Sequence, residues 1–251
     1  MAQALDRVGR LHAAARTAGV IDSILQFENV ATQAQYAVPY SVAAAHVQPG
    51  DSVLDWGCGN GHFSFFLASL GATVTGFSFE PRPLAMKESA SFSFVAGTPD
   101  DPSSLPFPTA FFDAVVGVGV LEHVWETGGD EVASLRELAR VVKPGGFLLT
   151  FHFPSDTGWI ETAVRALRLK KHLHGRRYGA ERIRQLWTEG GFTIVDVGRY
   201  NALPRAELSF LPAVLKHSEV FATAYDFVDR LIARAVPRVC TNYFVVARVA
   251  P

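Results

Sequence analysis

Asp55 is followed by glycines at alternate positions, Gly57, Gly59 and Gly61, within the stretch Val53-Leu-Asp-Trp-Gly-Cys-Gly-Asn-Gly-His-Phe63. A carboxylate at the end of an apolar pair, then a loop of small residues, is chemistry for holding a polar ligand against the backbone. Glycine lets a chain pass close to a ligand and adopt positive φ. A helix that begins just after the loop presents unpaired N–H groups. Further along, Glu122 and His123 follow one apolar run and His152 follows another. A histidine so placed can take a proton from a hydroxyl near neutral pH. Cys58 sits inside the glycine loop. With Cys240 it is one of only two cysteines, which excludes a disulfide framework or a zinc cluster, and it reads as a small loop residue rather than a nucleophile.

These groups need elements to position them, and the chain alternates strand and helix patterns. Strands are expected at Ser52–Asp55, Thr73–Phe79, Ser91–Val95, Phe112–Val118, Phe147–Phe151, Phe192–Val197 and Asn242–Val249. Helices are expected at Phe63–Leu70, Leu84–Ala90 and Ala180–Glu189, and at Glu131–Val142, where Asp130 is the cap and Val132, Leu135, Leu138 and Val142 form one face. Pro81 ends the second strand, and Lys143-Pro144-Gly145-Gly146 stops the helix before the fifth. Strands alternating with helices imply an α/β protein with a seven-stranded, mostly parallel sheet covered on both faces. Such sheets bind ligands beyond the carboxyl ends of their strands, and Asp55, His123 and His152 all fall there.

Residues 1–49 read as a separate helical cap, with Pro39 breaking the chain before a third short helix at Ser41–Val47, and 50–251 as the ligand-binding domain. Tyr36 lies in the cap and is a candidate contact for a lid over the ligand. About 200–238 is an insertion, long enough to be structured. Within it Phe221, Tyr225, Val228, Ile232 and Ala235 repeat at helical spacing and are expected to face a core, with a second copy or a membrane surface as alternatives given Lys216, Arg230 and Arg234 nearby.

With 251 residues, 49% apolar and 19% charged, the chain can bury a sizeable core. A formal net charge of −1 argues against a chain dedicated to nucleic acid. Met1–Gly19 has no long apolar run and no stretch has the length of a membrane span, so a soluble cytoplasmic protein is expected.

Two motifs compete at the loop. The dinucleotide pattern G-x-G-x-x-G, counted from Gly57, needs glycine at position 62, which is His62. The alternative, D-x-G-x-G-x-G, resembles the first motif of the class I S-adenosylmethionine (SAM)-dependent methyltransferases. Leu105-Pro106-Phe107-Pro108 with Phe112-Asp113-Ala114-Val115-Val116 resembles that family's region leading into strand 4. Leu121-Glu122-His123, Arg140-Val141-Val142-Lys143-Pro144-Gly145-Gly146 and Gly190-Gly191-Phe192 resemble its later motifs, in the same order over about residues 50–200.

The resemblance implies a Rossmann-like fold, SAM as cofactor with S-adenosylhomocysteine as product, and methyl transfer to an O or N atom of a small molecule. It implies that Asp55, Gly57, Cys58, Gly59 and Gly61 hold the amino acid end of SAM, with Gly119 after strand 4. At the second strand's end the family carries an acid for the ribose hydroxyls, since one carboxylate accepts two hydrogen bonds. Here Ser78 stands in its place, with Phe79 next and Glu80 two residues on, where alternation returns it to the same side. The acid that meets the adenine amino group is likewise replaced by Thr98, with Asp100 as substitute. Among the catalytic candidates, His123 is favoured over His152 as base. The run Arg165, Arg168, Lys170, Lys171, Arg176 and Arg177, with His172 and His174, is either a solvated face or a site for an acidic acceptor, and Tyr178 is a candidate for the acceptor pocket. Two other readings stay open: a non-catalytic SAM-fold protein, from the two replaced acids, and an RNA methyltransferase, from the basic run.

Overall fold

The structure, a computed structural model, describes residues 2–249 apart from 88, 99, 168–174, 206, 207 and 209, with the backbone alone for 2–6. In chain order the helices are α1 (Ala2–Thr17), α2 (Val30–Gln33), α3 (Ala37–His46), α4 (His62–Ser69), α5 (Glu131–Val141), α6 (Trp159–Ala166), α7 (Ala180–Glu189), α8 (Ala213–Lys216) and α9 (Glu219–Ala235). The strands are β1 (Ser52–Trp56), β2 (Thr73–Ser78), β3 (Phe92–Ala96), β4 (Phe112–Val118), β5 (Val142–Pro154), β6 (Phe192–Tyr200) and β7 (Asn242–Val249). Their contacts divide into two compact units, one of 1–45, 157–173 and 199–242, the other of 46–156, 174–198 and 243–251.

The second unit is built on the sheet, a mixed, mostly parallel one in the order β3-β2-β1-β4-β5-β7-β6. The strand order reverses between β1 and β4, which pair in parallel with Asp55 beside Val116, while on its other side Asp55 lies beside Gly76 of β2. That reversal opens a crevice at the carboxyl ends of these strands. Val53 to Trp56 are all buried, as a central strand covered on both faces requires. The core joins Leu54, Phe112, Val115 and Leu148 of the sheet to Leu135 and Leu138 of α5 and Leu186 and Trp187 of α7. Asp130 caps α5 by accepting the Ala133 N–H at 2.8 Å. A side chain at Gly190 would lie 2.4 Å from Leu135, so the α5–α7 packing depends on the absence of a Cβ there.

The first unit gathers α1–α3, α6, α8 and α9. Val8, Ile24, Phe27 and Ala31 are buried in it, and His12 Nδ1 lies 3.0 Å from Gln33 Oε1. The Trp159 indole N–H donates to the Ala202 carbonyl at 2.6 Å, tying α6 to the segment after β6. No helix among the described residues is long and apolar enough to cross a membrane.

Four expectations are corrected. The helix expected at 84–90 is a single 3₁₀ turn, Leu84–Met86, because the Arg82 guanidinium donates to the Met86 and Lys87 carbonyls that a continuing helix would use. Pro39 does not break the chain: it lies in the first turn of α3, where a missing N–H costs nothing. β5 starts at Val142 and runs to Pro154, through a register irregularity opposite Phe112–Ala114, rather than beginning at Phe147. Finally, α9 forms where the spacing predicts, but its fully buried positions are Ala222, Asp226 and Asp229, and Val228 is exposed.

Candidate functional site

The glycine loop folds back on the end of β2: the Gly57 and Cys58 N–H groups both donate to the Phe77 carbonyl, at 2.8 and 3.1 Å. All three glycines take positive φ, +73° at Gly57, +47° at Gly59 and +83° at Gly61. Their reasons differ. A Cβ at Gly57 would lie 2.4 Å from Val120 Cγ2, and one at Gly61 would press on Met86 and Pro83 at 2.9 and 3.0 Å. At Gly59 a Cβ would meet nothing nearer than the Gly57 carbonyl at 4.0 Å. Gly57 and Gly61 are therefore needed for packing, and Gly59 leaves space open.

Asp55 lies behind this loop. Its side chain is buried and accepts the Ser64 hydroxyl at 2.5 Å together with the Ser64 N–H, which fixes the first turn of α4 to β1. Burial raises its carboxyl to about 6, with the Ser64 hydrogen bonds acting the other way. The Cys58 thiol is turned to β2, where a Cβ at Gly76 would come within 2.9 Å of it, and burial pushes it well above the usual thiol range. It is a packing group, not a nucleophile.

In front of the loop is a cavity of about 370 Å³, within the range of small-molecule sites. Trp56, Gly57 and Gly59 form one wall. Phe77, Ser78, Phe79 and Glu80 at the end of β2 form a second. Gly119, Val120, His123, Val124 and Thr127 after β4 form a third, with Pro102 closing the rim. The Ser78 hydroxyl accepts the Glu80 N–H at 3.0 Å, which shapes the turn that brings Glu80 to the wall. The rings of Phe77 and Phe79 meet edge to face at 6.0 Å, and a Cβ at Gly97 would collide with both at 2.5–2.7 Å. His123 Nδ1 is 2.9 Å from Glu126 Oε1, while neighbouring Glu122 is buried.

The other sequence candidates lie elsewhere. Thr98 and Asp100 are exposed and form a turn of their own, Thr98 Oγ1 accepting the Asp100 N–H at 3.2 Å, and neither is on the cavity wall. His152 lies within β5 with φ +60° and is not on the wall either; nearby His62 is pushed down to about 3, by burial first and by His152 second. Tyr36 belongs to the other unit, its hydroxyl pushed up to about 12 by burial and its ring 6.0 Å from that of Tyr40. Tyr178 is buried, stacks on Phe153 at 4.0 Å and donates its hydroxyl to Glu131. Glu131 also pairs with Arg176 at 3.1 Å, and Arg165 faces Glu161 at 3.5 Å. Arg168, Lys170, Lys171, His172 and His174 lie outside the described residues. Trp56, Phe77, Val120, Val124 and Thr127 were not foreseen. The alternation of β1 and β2, which places Trp56 and Phe77 at strand ends, was the available signal for the first two.

Residues 54–150 match the family described as "Methyltransferase domain". Over residues 54–150 the chain carries a methyltransferase domain of the class I SAM-dependent type. It is 28% identical over 165 residues, 65% of its own length and 61% of the relative's, to a probable S-adenosylmethionine-dependent methyltransferase of Mycolicibacterium smegmatis. It is 36% identical over 131 residues to a demethylmenaquinone methyltransferase of Mycolicibacterium gilvum, covering 52% of this chain and 54% of that one. The chain thus spans less than two thirds of the length of these curated relatives. Among solved structures it shares its fold with the Burkholderia thailandensis 1,6-didemethyltoxoflavin-N1-methyltransferase, determined with S-adenosylhomocysteine, at a TM-score of 0.57 and 18% identity over 96% of this chain and 88% of that one.

SAM is the cofactor of this methyltransferase domain. The site fits it: the positive-φ glycines leave a cradle at Gly59 that a Cβ would fill, the cavity is of cofactor size, and a carboxylate and two aromatic rings stand on its β2 wall.

Proposed function

We propose that this chain transfers the methyl group of SAM to an O or N atom of a small molecule. The observation that carries the reading is the open cradle at Gly59, facing a cavity with the Glu80 carboxylate on its wall. SAM supplies a methyl group already activated on a sulfonium, so the protein's part is to hold donor and acceptor in line. In this reading Gly57 and Gly59 receive the amino acid end of the cofactor. Glu80 accepts the ribose hydroxyls, a task for which a carboxylate has the acceptor capacity, and Phe79 offers a ring face to the base. Asp55 acts from behind, by fixing the loop and α4. His123, on the opposite wall and backed by Glu126, takes the acceptor's proton. That group is the reason for inferring an O or N acceptor.

The relatives include enzymes named for demethylmenaquinone and for a phytyl hydroquinone. Aromatic ring compounds of that kind are the first acceptors to try. Of the described residues of the basic run, Arg165 and Arg176 face Glu161 and Glu131, so these two give no support to an acidic acceptor or RNA.

Isothermal titration of the full chain with S-adenosylhomocysteine tests the cofactor half; we expect saturable binding, and no heat at millimolar ligand would sink the reading. Transfer of labelled methyl from SAM to a panel of hydroquinones, phenols and amines tests the other half.

A further inference from the structure

Helix α9 is inside out. Its buried stripe carries charge: Asp226 and Asp229 are 2% and 3% exposed, although they lie on the face turned to the rest of their unit. Arg205 neutralises both, at 3.0 and 2.9 Å, and Arg230 adds a 2.6 Å contact to Asp226. The opposite stripe, at i, i+7, i+8 and i+11, is Val220, Phe227, Val228 and Leu231, with exposures of 81, 42, 46 and 49%. A soluble amphipathic helix has the reverse pattern. Just before it, Phe210 and Val214 stand 88 and 78% exposed on a short segment that ends in Lys216 and His217. Exposed apolar side chains gathered this way mark a contact surface.

The charges around this surface select the partner. Two of the three acidic residues of α9, Asp226 and Asp229, are turned inward to Arg205, while Glu219 in its first turn is exposed. At the other end of the stripe the exposed charges are cations, Arg234 in the last turn of α9 and Arg238 just after it. An apolar face with cations at one end fits an interface with anionic lipid. A second copy fits less well: one helix of this length presents a face of roughly 250 Å², against about 800 Å² per partner in a standard stable interface.

We propose that this face of α9 lies on the surface of an anionic lipid bilayer. Val220, Phe227 and Leu231 enter the acyl boundary, and Arg234 and Arg238 meet the headgroups. The proposal concerns the first unit alone and does not rest on the methyl-transfer reading.

The test is co-sedimentation of the full chain with vesicles of phosphatidylcholine, with and without phosphatidylglycerol. Binding is expected to the anionic vesicles, to weaken with salt, and to fall about tenfold or more when Phe227→Glu and Leu231→Glu are combined. Arg234→Gln with Arg238→Gln is expected to lose the preference for anionic vesicles while leaving the apolar face intact. Unchanged melting of both variants shows that they fold. A wild-type chain that stays in the supernatant with anionic vesicles overturns the proposal. So does a doubly substituted Glu variant that binds as wild type, or a concentration-dependent dimer in sedimentation velocity that this variant abolishes.

Discussion

The Ser78 hydroxyl accepts the Glu80 backbone N–H at 3.0 Å, so Ser78 builds the turn that carries Glu80. Both residues line the cavity. If Glu80 holds the ribose, Glu80→Gln keeps the side chain's size and loses the charge. Hydrogen bonds to a charged group contribute about 1.5–3 kcal/mol, so S-adenosylhomocysteine should bind at least about tenfold more weakly. Ser78→Ala only loosens the turn and should cost less. Titration calorimetry on the two variants ranks them, and equal affinity of Glu80→Gln and wild type would remove Glu80 from the site.

The glycines make a second comparison. At Gly57 an added methyl collides with Val120 at 2.4 Å as well as facing the strain of φ +73°. Gly57→Ala should therefore destabilise the fold, by roughly 3 kcal/mol or more. At Gly59 the methyl enters open space, so Gly59→Ala costs only the left-handed backbone, about 1–2 kcal/mol, yet fills the cradle. Gly59→Ala is expected to melt near wild type and to bind S-adenosylhomocysteine far more weakly. Thermal melting with calorimetry separates the two, and a Gly59→Ala variant with wild-type affinity would place the cofactor elsewhere.

Asp55 gives the unit a pH signature. Its carboxyl is raised to about 6 from an ordinary 3.8, so the folded state holds the proton more tightly than the unfolded one. The stabilisation from that proton is complete below the unfolded value and is lost as pH rises through the folded one. Asp55 therefore destabilises at neutral pH by up to about 3 kcal/mol. Asp55→Asn, still able to accept from Ser64, should be as stable as wild type or more so near pH 7, with a shallower dependence between about pH 4 and 6. Chemical denaturation across that window measures it. A difference between variant and wild type that does not change with pH would show that Asp55 does not titrate there.

The glycine loop was legible because it is a backbone requirement written in residue type, and no other residue tolerates its φ values cheaply. Strand alternation is the signal that singles out Glu80, but β2 ends at Ser78 and a turn, not the strand, carries Glu80 to the cavity. Thr98 and Asp100 lie past the end of β3, where no period fixes the aim of a side chain, and they fold into their own turn. The outward face of α9 was illegible for another reason. Its spacing gave the helix, but the inward face was decided by Arg205, 21 residues before Asp226, and nothing local announces that pairing. Val120 was hidden for the same kind of reason: it reaches the site by packing on Gly57, a contact between two loops.

His123 can be tested apart from cofactor binding. Proton transfer by a positioned group is worth about 10²–10⁴-fold in rate, so with the true acceptor His123→Ala should lose about that much turnover. Its affinity for S-adenosylhomocysteine should change little, since the opposite walls hold the cofactor in this reading. His123→Gln keeps a polar group near Glu126 and should be equally slow if the proton is the point. Full turnover in either variant would reduce His123 to a lining residue.

The Arg205 cluster is the largest concentration of buried charge in the first unit that the structure describes in detail. Its side chain, 4% exposed, pairs with Asp226 at 3.0 Å and Asp229 at 2.9 Å, and Asp229 also accepts the Leu203 N–H at 2.6 Å. Removing one partner of a buried pair leaves an uncompensated charge and costs about 3–5 kcal/mol. Asp226 keeps Arg230 at 2.6 Å, so the loss in Arg205→Met falls mainly on Asp229. For a chain of this size the melting point should drop by roughly 10 °C. Adding Asp229→Asn removes the stranded charge while leaving an oxygen for Leu203, and it should recover a large part of that loss. Differential scanning calorimetry on the single and double variants reads the recovery directly. A double variant no more stable than Arg205→Met would mean that the packing of the arginine against the Tyr225 ring, 5.2 Å away, matters more than its charge.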